Sequence, residues 1–303
     1  MLRSLYAGVS GMRNFQTKMD VVANNISNVN TTAFKSGRVR FQDMLSQTVA
    51  NAQAPSATGL GGVNTQQIGL GVKVGAIDTI MTGGALQPTN RDLDFAIEGE
   101  GFFVLSQDTS ANIKSYTRDG ACYTDYEGNL VNAAGLRVLG YIPNTYDSPE
   151  VYDINVPIAT DTEQEKLDKL HCLTIPDSIN VSGVDLDLES YTIDGTGQII
   201  GVFSDGNPYL LGQVGVVSFS NSEGLEKNGS NNYVNTNNSG YPQAGIAGST
   251  GYGTIRQGFV EMSNVDLANE FTEMIITSRA YQANSRTIST SDEMLQELIN
   301  LKR

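Results

Sequence analysis

The chain has 303 residues, of which 39% are apolar, and this is enough for about two globular units with a sizeable core. The net charge of −14 opposes binding to phosphate backbones and anionic lipid, so no nucleic acid and no membrane surface is expected as a partner. One histidine and two cysteines leave almost no material for a zinc site, a Ser/His/Asp triad or a disulfide framework. The composition therefore predicts a protein that is not an enzyme, with no catalytic residues, no metal and no cofactor.

The sequence gives no sign of a membrane span or a secretory signal. A span needs roughly 18 uninterrupted apolar residues, and no stretch approaches that length. The first residues, MLRSLYAGVSGMRNFQ, break their apolar residues with Gly, Ser and Arg. We therefore expect neither a cleaved signal peptide nor an anchor.

Apolar residues at alternating steps of three and four predict an amphipathic helix at the N-terminus. The predicted stripe consists of Leu2, Leu5, Val9, Met12, Met19, Ala23 and Ile26, with Gln16 as its one polar interruption. Four asparagines between positions 24 and 30 compete with helical hydrogen bonds and predict the end of the helix.

A second helix is predicted at the C-terminus, where apolar residues recur every seven positions. These residues are Leu267, Met274, Tyr281, Ile288 and Leu295. Phe271 and Ile299 occupy a companion position, which is polar at Ser278, Ser285 and Asp292. We expect Ser263 or Asn264 to cap the helix at its start, and the helix to run to the end of the chain.

The two ends of the chain carry opposite charge. Residues 1–42 contain six basic side chains and one acidic side chain, whereas residues 260–303 contain seven acidic and four basic side chains. The plainer interpretation of each stripe is an ordinary helix packed on its own domain. Opposite charge and position at the two extremes favour instead one coiled-coil-like unit made from residues 1–30 and 262–303.

The sequence between the helices predicts a β-rich domain, which makes the expected fold class α+β: a mainly β body inserted between coiled-coil-like terminal helices. Residues 31–75 are predicted to be an extended connector, and within them 49–75, which is rich in Gly, Ala, Thr and Gln, predicts an extended loop or hairpin. Across 76–261, short apolar runs such as GFFVL and QVGVVSF alternate with turn signals. A small insertion at 143–192 includes a polar segment of helical character at 160–172, and 221–253 is expected to be a long loop.

Three possible functional sites have less support in the sequence than a purely structural role for the same residues. The glycines at 59–62 and 69–75 lack the strand and helix that surround a phosphate-binding loop. His171 and Cys172 supply two ligands where a structural zinc site needs four. The carboxylates of Asp92, Asp94, Glu98 and Glu100 are expected on the solvated side of a strand, without the apolar environment that raises the pKa of a glycosidase acid.

The chain resembles bacterial flagellar rod and hook proteins in three regions. The motifs are LRSLYAGVSGM and DVVANNISNVNTTAFK near the N-terminus, LDFAIEGEGFFVL and YTRDGACYTDYEGNLVNAAG in the middle, and GFVEMSNVDLANEFTEMIITSRAYQANSRTISTSDEML near the C-terminus. The resemblance covers most of the chain and is weakest at 143–192 and 225–253. Within the family, the ending SDEMLQELINLKR is most similar to the short hook proteins of Gram-positive bacteria.

The resemblance implies a structural subunit of the bacterial flagellum that polymerises with itself into the hook, a curved tubular universal joint that transmits torque from rod to filament. It implies export by the flagellar type III apparatus without a cleaved signal peptide and a place outside the cell. The implied neighbours are the distal rod protein, the hook-cap protein during assembly and the hook-filament junction protein. The implied inner tube seam consists of Leu2, Leu5, Val9, Met12, Met19, Ile26, Leu267, Phe271, Met274, Tyr281, Ile288 and Leu295.

Two alternatives remain at this point. Inside the family, the distal rod subunit of the flagellar basal body shares the same terminal and β-domain motifs. In a different class, a secreted adhesin fits the β-rich, turn-rich body.

Overall fold

The computed structural model describes residues 2–54, 61–108, 111, 113–143, 162–181 and 184–301. The chain divides into two compact units, which we call the helical unit and the β body. The helical unit contains residues 1–29, 36–80 and 265–303, and the β body contains residues 30–35 and 81–264. In the sequence, a mainly β body therefore lies between two terminal helices, which confirms the predicted α+β fold class.

The helical unit contains helix α1 (Leu2–Ser27) and helix α3 (Leu267–Leu301). The end of α1 lies among the asparagines, as predicted, and the side chain of Asn28 donates to the carbonyl and the side chain of Asn24, each at 2.9 Å. The cap of α3 differs from the prediction, because Asp266 accepts a hydrogen bond from the backbone N–H of Ala268 at 2.9 Å. No helix in the described ranges is long and apolar enough to cross a membrane.

Three strands of the helical unit and the start of a fourth lie in residues 31–75, the segment predicted to be an extended connector. Strands β1 (Gly37–Asp43) and β4 (Val72–Thr79) pair in antiparallel orientation from Gly37 opposite Thr79 to Asp43 opposite Val72. Strands β2 (Ser46–Ala50) and β3 (Gln66–Gly69) form a second antiparallel pair between them. The alternation in Arg38-Val39-Arg40-Phe41 and Val72-Lys73-Val74 is the local signal for β1 and β4.

The β body is built on one large antiparallel sheet with two short strand pairs beside it. Its elements are β5 (Leu86–Pro88), β6 (Phe95–Glu98), β7 (Phe102–Ser106), β8 (Lys114–Thr117), β9 (Cys122–Thr124), β10 (Leu130–Asn132), β11 (Arg137–Tyr141), α2 (Glu163–Asp168), β12 (His171–Cys172), β13 (Ser178–Val181), β14 (Val184–Ile193), β15 (Gln198–Phe203), β16 (Pro208–Ser218), β17 (Glu226–Lys227), β18 (Asn232–Val234), β19 (Gln243–Ile246), β20 (Thr254–Gln257) and β21 (Phe259–Glu261). The main path of the sheet runs β13-β14-β15-β16-β11-β7-β8-β18-β17.

Strand β7 lies inside the body and is buried on both faces. Phe103 and Leu105 belong to one apolar cluster, and Phe102 and Val104 belong to another. Successive side chains of a strand point to opposite faces, so β7 separates two cores. This explains why GFFVL is a continuous apolar run in the sequence and does not alternate with polar residues.

Three segments with sequence predictions lie in the β body. The helical character of 160–172 is confirmed by α2, which Thr162 and Glu165 start with a capping box. The segment 221–253, predicted as a long loop, contains β17, β18 and β19, which pair into the main sheet. Of the predicted insertion at 143–192, residues 144–161 and 182–183 lie outside the described residues, and the described part contributes β12, β13 and most of β14 to that sheet.

Candidate assembly surface on the terminal helices

Helices α1 and α3 pack against each other in antiparallel orientation. The hydroxyls of Ser4 and Ser291 are 3.5 Å apart, and the Lys18 Nζ atom is 2.5 Å from the Glu273 Oε2 atom. Positions thus ascend along α1 as they descend along α3. The ion pair joins one of the N-terminal cations to one of the C-terminal carboxylates, although exposure limits its contribution to about 0–1 kcal/mol.

Two glycines set the closest approach of the helices. A Cβ atom on Gly8 would lie 3.1 Å from Thr287 Oγ1 and 3.2 Å from a carbon of the Ile288 side chain. On Gly11 it would lie 2.8 Å from the side-chain nitrogen of Asn284. Because glycine has no side chain, α3 can approach the backbone of α1 closely at these two positions. Close packing against the α1 backbone, rather than burial of large apolar side chains, therefore stabilises this part of the contact.

Asn25 connects α1 to strand β1 and to helix α3. Its side-chain nitrogen donates to the Gly37 carbonyl at 2.9 Å and to Glu270 Oε1 at 3.1 Å, and its oxygen accepts from the Gly37 N–H at 3.0 Å. The side chain is buried, so these bonds replace those that water would supply. Burial raises the pKa of Glu270 above its ordinary value of 4.5, and the bond from Asn25 opposes this shift.

On α1 the contact strip is displaced by one residue from the predicted stripe, and on α3 the buried residues lie between the predicted positions. On α1 the buried residues are Gly8, Gly11, Val22 and Asn25, and on α3 they are Thr277 and Ser291. The predicted residues Leu5, Val9, Met12, Met19 and Ile26 are half-buried along the edge of this strip, and the side chain of Leu2 lies outside the described residues. On α3, Met274, Ile288 and Leu295 are half-buried, whereas Leu267, Phe271 and Tyr281 are exposed.

The helical unit exposes many large apolar side chains. They are Tyr6, Met44, Leu45, Val49, Val63, Ile68, Leu70, Ile77, Leu267, Phe271, Ile275, Ile276, Tyr281, Met294, Leu298, Ile299 and Leu301. Scattered single residues of this kind are normal on a surface, but a concentration of them is typical of a surface that binds another protein.

The β body contains a buried ionic cluster that the sequence reasoning did not find. Lys35 and Arg118 flank Glu261, and each of the three is at most 2% exposed. The Glu261 carboxylate lies 2.5 Å from Lys35 Nζ and 3.3 Å from Arg118 Nη1, and it also accepts from the Gly84 N–H at 2.8 Å. Burial lowers the pKa of Lys35 from its ordinary value of 10.5, an effect that Glu261 opposes. The cluster joins positions far apart in the sequence, and no local sequence pattern indicates it.

The weaker sequence candidates show no convergent chemistry. His171 is exposed, and no group of three or more His, Cys, Asp or Glu side chains suited to a metal occurs in the part of the chain that the structure describes. Glu98 forms an exposed ion pair with Arg256 at 2.6 Å. Asp94 is buried, which corrects the expectation that it is solvated, and it lies 3.8 Å from Arg91.

Comparison with known proteins gives three family models that together span both ends and the middle of the chain. They describe a flagella basal body rod protein (residues 5–35), the flagellar hook protein FlgE/F/G D1 domain (96–201) and the flagellar basal body rod FlgEFG protein C-terminal region (256–301). The first of these regions contains most of α1 and the last contains all of α3, the helices that form the candidate surface.

Individual relatives match over the whole chain. The flagellar basal-body rod protein FlgG of Bacillus subtilis (strain 168) is 45% identical over 304 aligned positions, which cover 100% of both chains. The flagellar hook protein FlgE of Borreliella burgdorferi is 33% identical over 446 positions, again covering 100% of both. The solved flagellar hook protein FlgE2 of Helicobacter pylori is 10% identical, covers 58% of this chain and 100% of its own, and gives a TM-score of 0.40.

These matches define a structural component of the bacterial flagellum. The chain belongs to the flagellar rod and hook protein family, which confirms the resemblance found in its sequence motifs. We take the family from the sequence relatives, because a TM-score of 0.40 is too low to establish a shared fold.

Proposed function

We propose that this chain polymerises into a tubular section of the flagellar axis and that its terminal helices form the inner layer of the tube. The observation that carries the proposal is the concentration of exposed apolar side chains in the helical unit, whose own contact strip buries one hydrophobic residue, Val22, among glycines and polar residues. Burial of those side chains against other copies supplies the driving force for assembly. A head-to-tail contact that does not close produces an open helical tube.

The predicted seam residues take part in this proposal in two ways. Val9, Met12 and Met19 border the contact between α1 and α3 and remain half-exposed. Phe271 and Leu267 are exposed on α3. Both sets are therefore open to a neighbouring copy. No catalytic residue, metal or cofactor has a part in this function.

Within the axis we assign the chain to the hook. The assignment is supported by the C-terminal ending, which resembles short hook proteins, and by the full-length match to a hook protein at 33% identity. The distal rod is the second candidate, and the 45% identity to a rod protein favours it. Immunogold labelling of intact basal structures separates the two: label on the curved segment outside the cell supports the hook, and label confined to the straight segment within the envelope supports the rod.

The partners follow from the same resemblance. The chain passes unfolded through the flagellar type III export apparatus without a cleaved signal, and its main partner is itself. The distal rod protein and the hook-filament junction protein adjoin the two ends of the polymer, and the hook-cap protein covers the growing end. N-terminal sequencing of subunits from isolated hooks tests the export route: a start at Met1 or Leu2 agrees with it, and loss of a longer segment contradicts it.

A substitution at Phe271 tests the polymer without disturbing the monomer. The side chain is 50% exposed, so Phe271→Asp changes the free energy of unfolding of the monomer by no more than about 0.5 kcal/mol. In an assembled contact the new carboxylate is buried without a partner, at a cost of several kcal/mol, and tubes do not form. The matched control is Thr272→Asp, which adds the same charge at an exposed polar position beside it.

Electron microscopy and light scattering of the purified proteins provide the readout. Wild type and Thr272→Asp form tubes, and Phe271→Asp remains monomeric with an unchanged melting temperature. Tubes formed by Phe271→Asp at the wild-type rate contradict the role of α3. A wild-type protein that stays monomeric under all conditions favours the adhesin alternative.

A further inference from the structure

The helical unit contains a groove of about 310 Å³ between α1 and the strands that follow it. Its apolar floor contains Tyr6, Val9, Met44, Leu70 and Val72, and its remaining lining contains Ser10, Arg13, Asn14 and Lys73. Arg13 and Lys73 are exposed, and the lining includes no carboxylate. The groove therefore fits an apolar segment that carries negative charge at its borders.

The groove is held open by specific contacts. The side chain of Asn14 donates to the Val72 carbonyl at 2.6 Å, and the N–H of Met44 donates to the Gly71 carbonyl at 2.9 Å. Gly71 has a φ of +124°, and a Cβ atom there would lie 2.3 Å from Ser10 Oγ. Only glycine allows strand β4 to begin this close to α1, so the shape of the groove is built into the fold.

The last turns of α3 have the complementary properties. Met294, Leu298, Ile299 and Leu301 are 49% to 83% exposed, and with Leu295 they share one face of the helix at helical spacing. Asp292, Glu293 and Glu297 are also exposed, and no basic residue occurs between 292 and 301. This segment is an amphipathic helix whose apolar face is flanked by carboxylates.

The α3 helix of the same chain does not fill the groove. It packs on the side of α1 that carries Gly8 and Gly11, and at helical spacing the groove residues Tyr6 and Arg13 lie on the opposite side of α1. Each copy therefore carries both the groove and the segment that fits it, on different surfaces. Contacts between two different surfaces of identical copies are head-to-tail and continue without limit unless the rotation closes.

We propose that the groove receives the C-terminal turns of α3 from a second copy of this chain, with Arg13 and Lys73 facing the carboxylates of that helix. This inference rests on the proposed function and specifies one contact of the tube. The apolar residues of the helix cover the floor of the groove, and the charges set the orientation and the register. A membrane surface is a poorer occupant, because the chain is strongly acidic and the groove offers only two cations.

Cysteine crosslinking tests the contact in assembled protein. The variant carries Leu70→Cys in the groove and Leu298→Cys on α3, in a background with Cys122→Ala and Cys172→Ala, and is treated with a short bismaleimide. We expect a ladder of dimers, trimers and longer products only after assembly. The matched control replaces Leu298→Cys by Asn300→Cys, which lies on the polar face of the same turn and forms no ladder.

Charge reversal tests the same contact independently. Lys73→Glu lowers the assembly rate about tenfold or more, and combining it with Glu297→Lys restores the rate, whereas Arg279→Glu, an equal charge change on α3 outside the groove, has little effect. A tube that forms normally but gives no ladder and shows no rescue overturns the inference and leaves the proposed function standing. Failure of the wild-type protein to assemble at all overturns both.

Discussion

The helical unit and the β body distribute their side chains in opposite ways. In the β body, two clusters of large apolar residues are buried around β7, and few large apolar side chains are exposed. In the described residues of the helical unit, Val22 is the one buried hydrophobic residue, and the other buried positions are glycines and polar residues such as Asn25 and Thr277. The β body buries most of its large apolar side chains in its own core, whereas the helical unit leaves many of its large apolar side chains exposed.

This difference separates stability from assembly. Apolar burial is the main favourable term in both folding and association, and under the proposed function the β body uses it for folding and the helical unit for association. Substitutions in the body should therefore change unfolding, and substitutions on the exposed faces of the helices should change polymerisation. Two measurements on the β body and two on the helical unit test which contacts stabilise each region.

The largest expected effect is in the ionic cluster of the β body. Glu261→Gln keeps the shape of the side chain but leaves Lys35 and Arg118 buried without an anion, and we expect a loss of about 3–5 kcal/mol in the free energy of unfolding. Urea denaturation measures it. The matched control is Glu98→Gln, whose ion pair with Arg256 is about half exposed, so its loss stays below about 1 kcal/mol. Equal effects of the two variants would show that the buried cluster does not stabilise the body.

The next effect concerns the approach of α1 and α3. Gly8→Leu places a large side chain against Thr287 and Ile288 and should destabilise the helical unit by about 1–3 kcal/mol. Gly8→Ala is the graded control, because its tight Cβ contacts are offset by a gain in helix propensity of up to about 1 kcal/mol. Hydrogen exchange of the α1 amides reports both. If Gly8→Leu leaves α1 as protected as in the wild type, the helices do not meet at this glycine.

Alkaline pH should weaken the β body selectively. Burial raises the pKa of Tyr116 and of Tyr233 to about 12 from an ordinary value of 10.0. The unfolded chain ionises first, so the stability held by these groups is complete below pH 10 and is lost as the pH rises from 10 to 12. At pH 11, Tyr116→Phe should lose about 1.4 kcal/mol less than wild type, relative to pH 8. An identical alkaline loss in variant and wild type would contradict burial of the phenol.

The smallest effect is at the junction of α1 and α3. Because burial raises the pKa of Glu270, its contribution to stability is complete below its ordinary pKa of 4.5 and is lost as the pH rises through the folded-state value. Glu270→Gln removes this dependence, so we expect the wild type to lose more stability than the variant between pH 4 and pH 7. Thermal unfolding of the helical unit at the two pH values measures it, and a larger pH dependence in the variant would reverse the sign we derive.

The existence of the terminal helices could be predicted from the sequence, but their contact faces could not. Helical periodicity is visible in Leu5, Val9 and Met12 because these residues are apolar. The residues that meet α3 are Gly8 and Gly11, and glycine adds nothing to a hydrophobic pattern although it permits the closest approach of two backbones. On α1, the predicted stripe is therefore displaced by one residue from the observed strip.

The pairing of residues far apart in the sequence could not be predicted either. The alternation around Arg38 and Val74 marks two strands, but nothing local indicates that Gly37 lies opposite Thr79 across the intervening chain. The same holds for Lys35 and Glu261, which are 226 positions apart. Charged residues normally predict a solvated surface, so a buried ionic cluster is recognisable only after the fold has brought its members together.

The position of Glu261 also determines when the body can be completed during folding. Strands β20 and β21 pair with β6 and β5, and Glu261 at the end of β21 neutralises cations contributed by Lys35 and Arg118. A chain that stops before residue 254 lacks both strands and leaves the two cations without their carboxylate. Closing loops of this length is slow, because the chain loses conformational entropy before the long-range contacts form and stabilise the fold. We expect truncated chains to remain unfolded and protease-sensitive, so that only nearly complete chains yield a folded body.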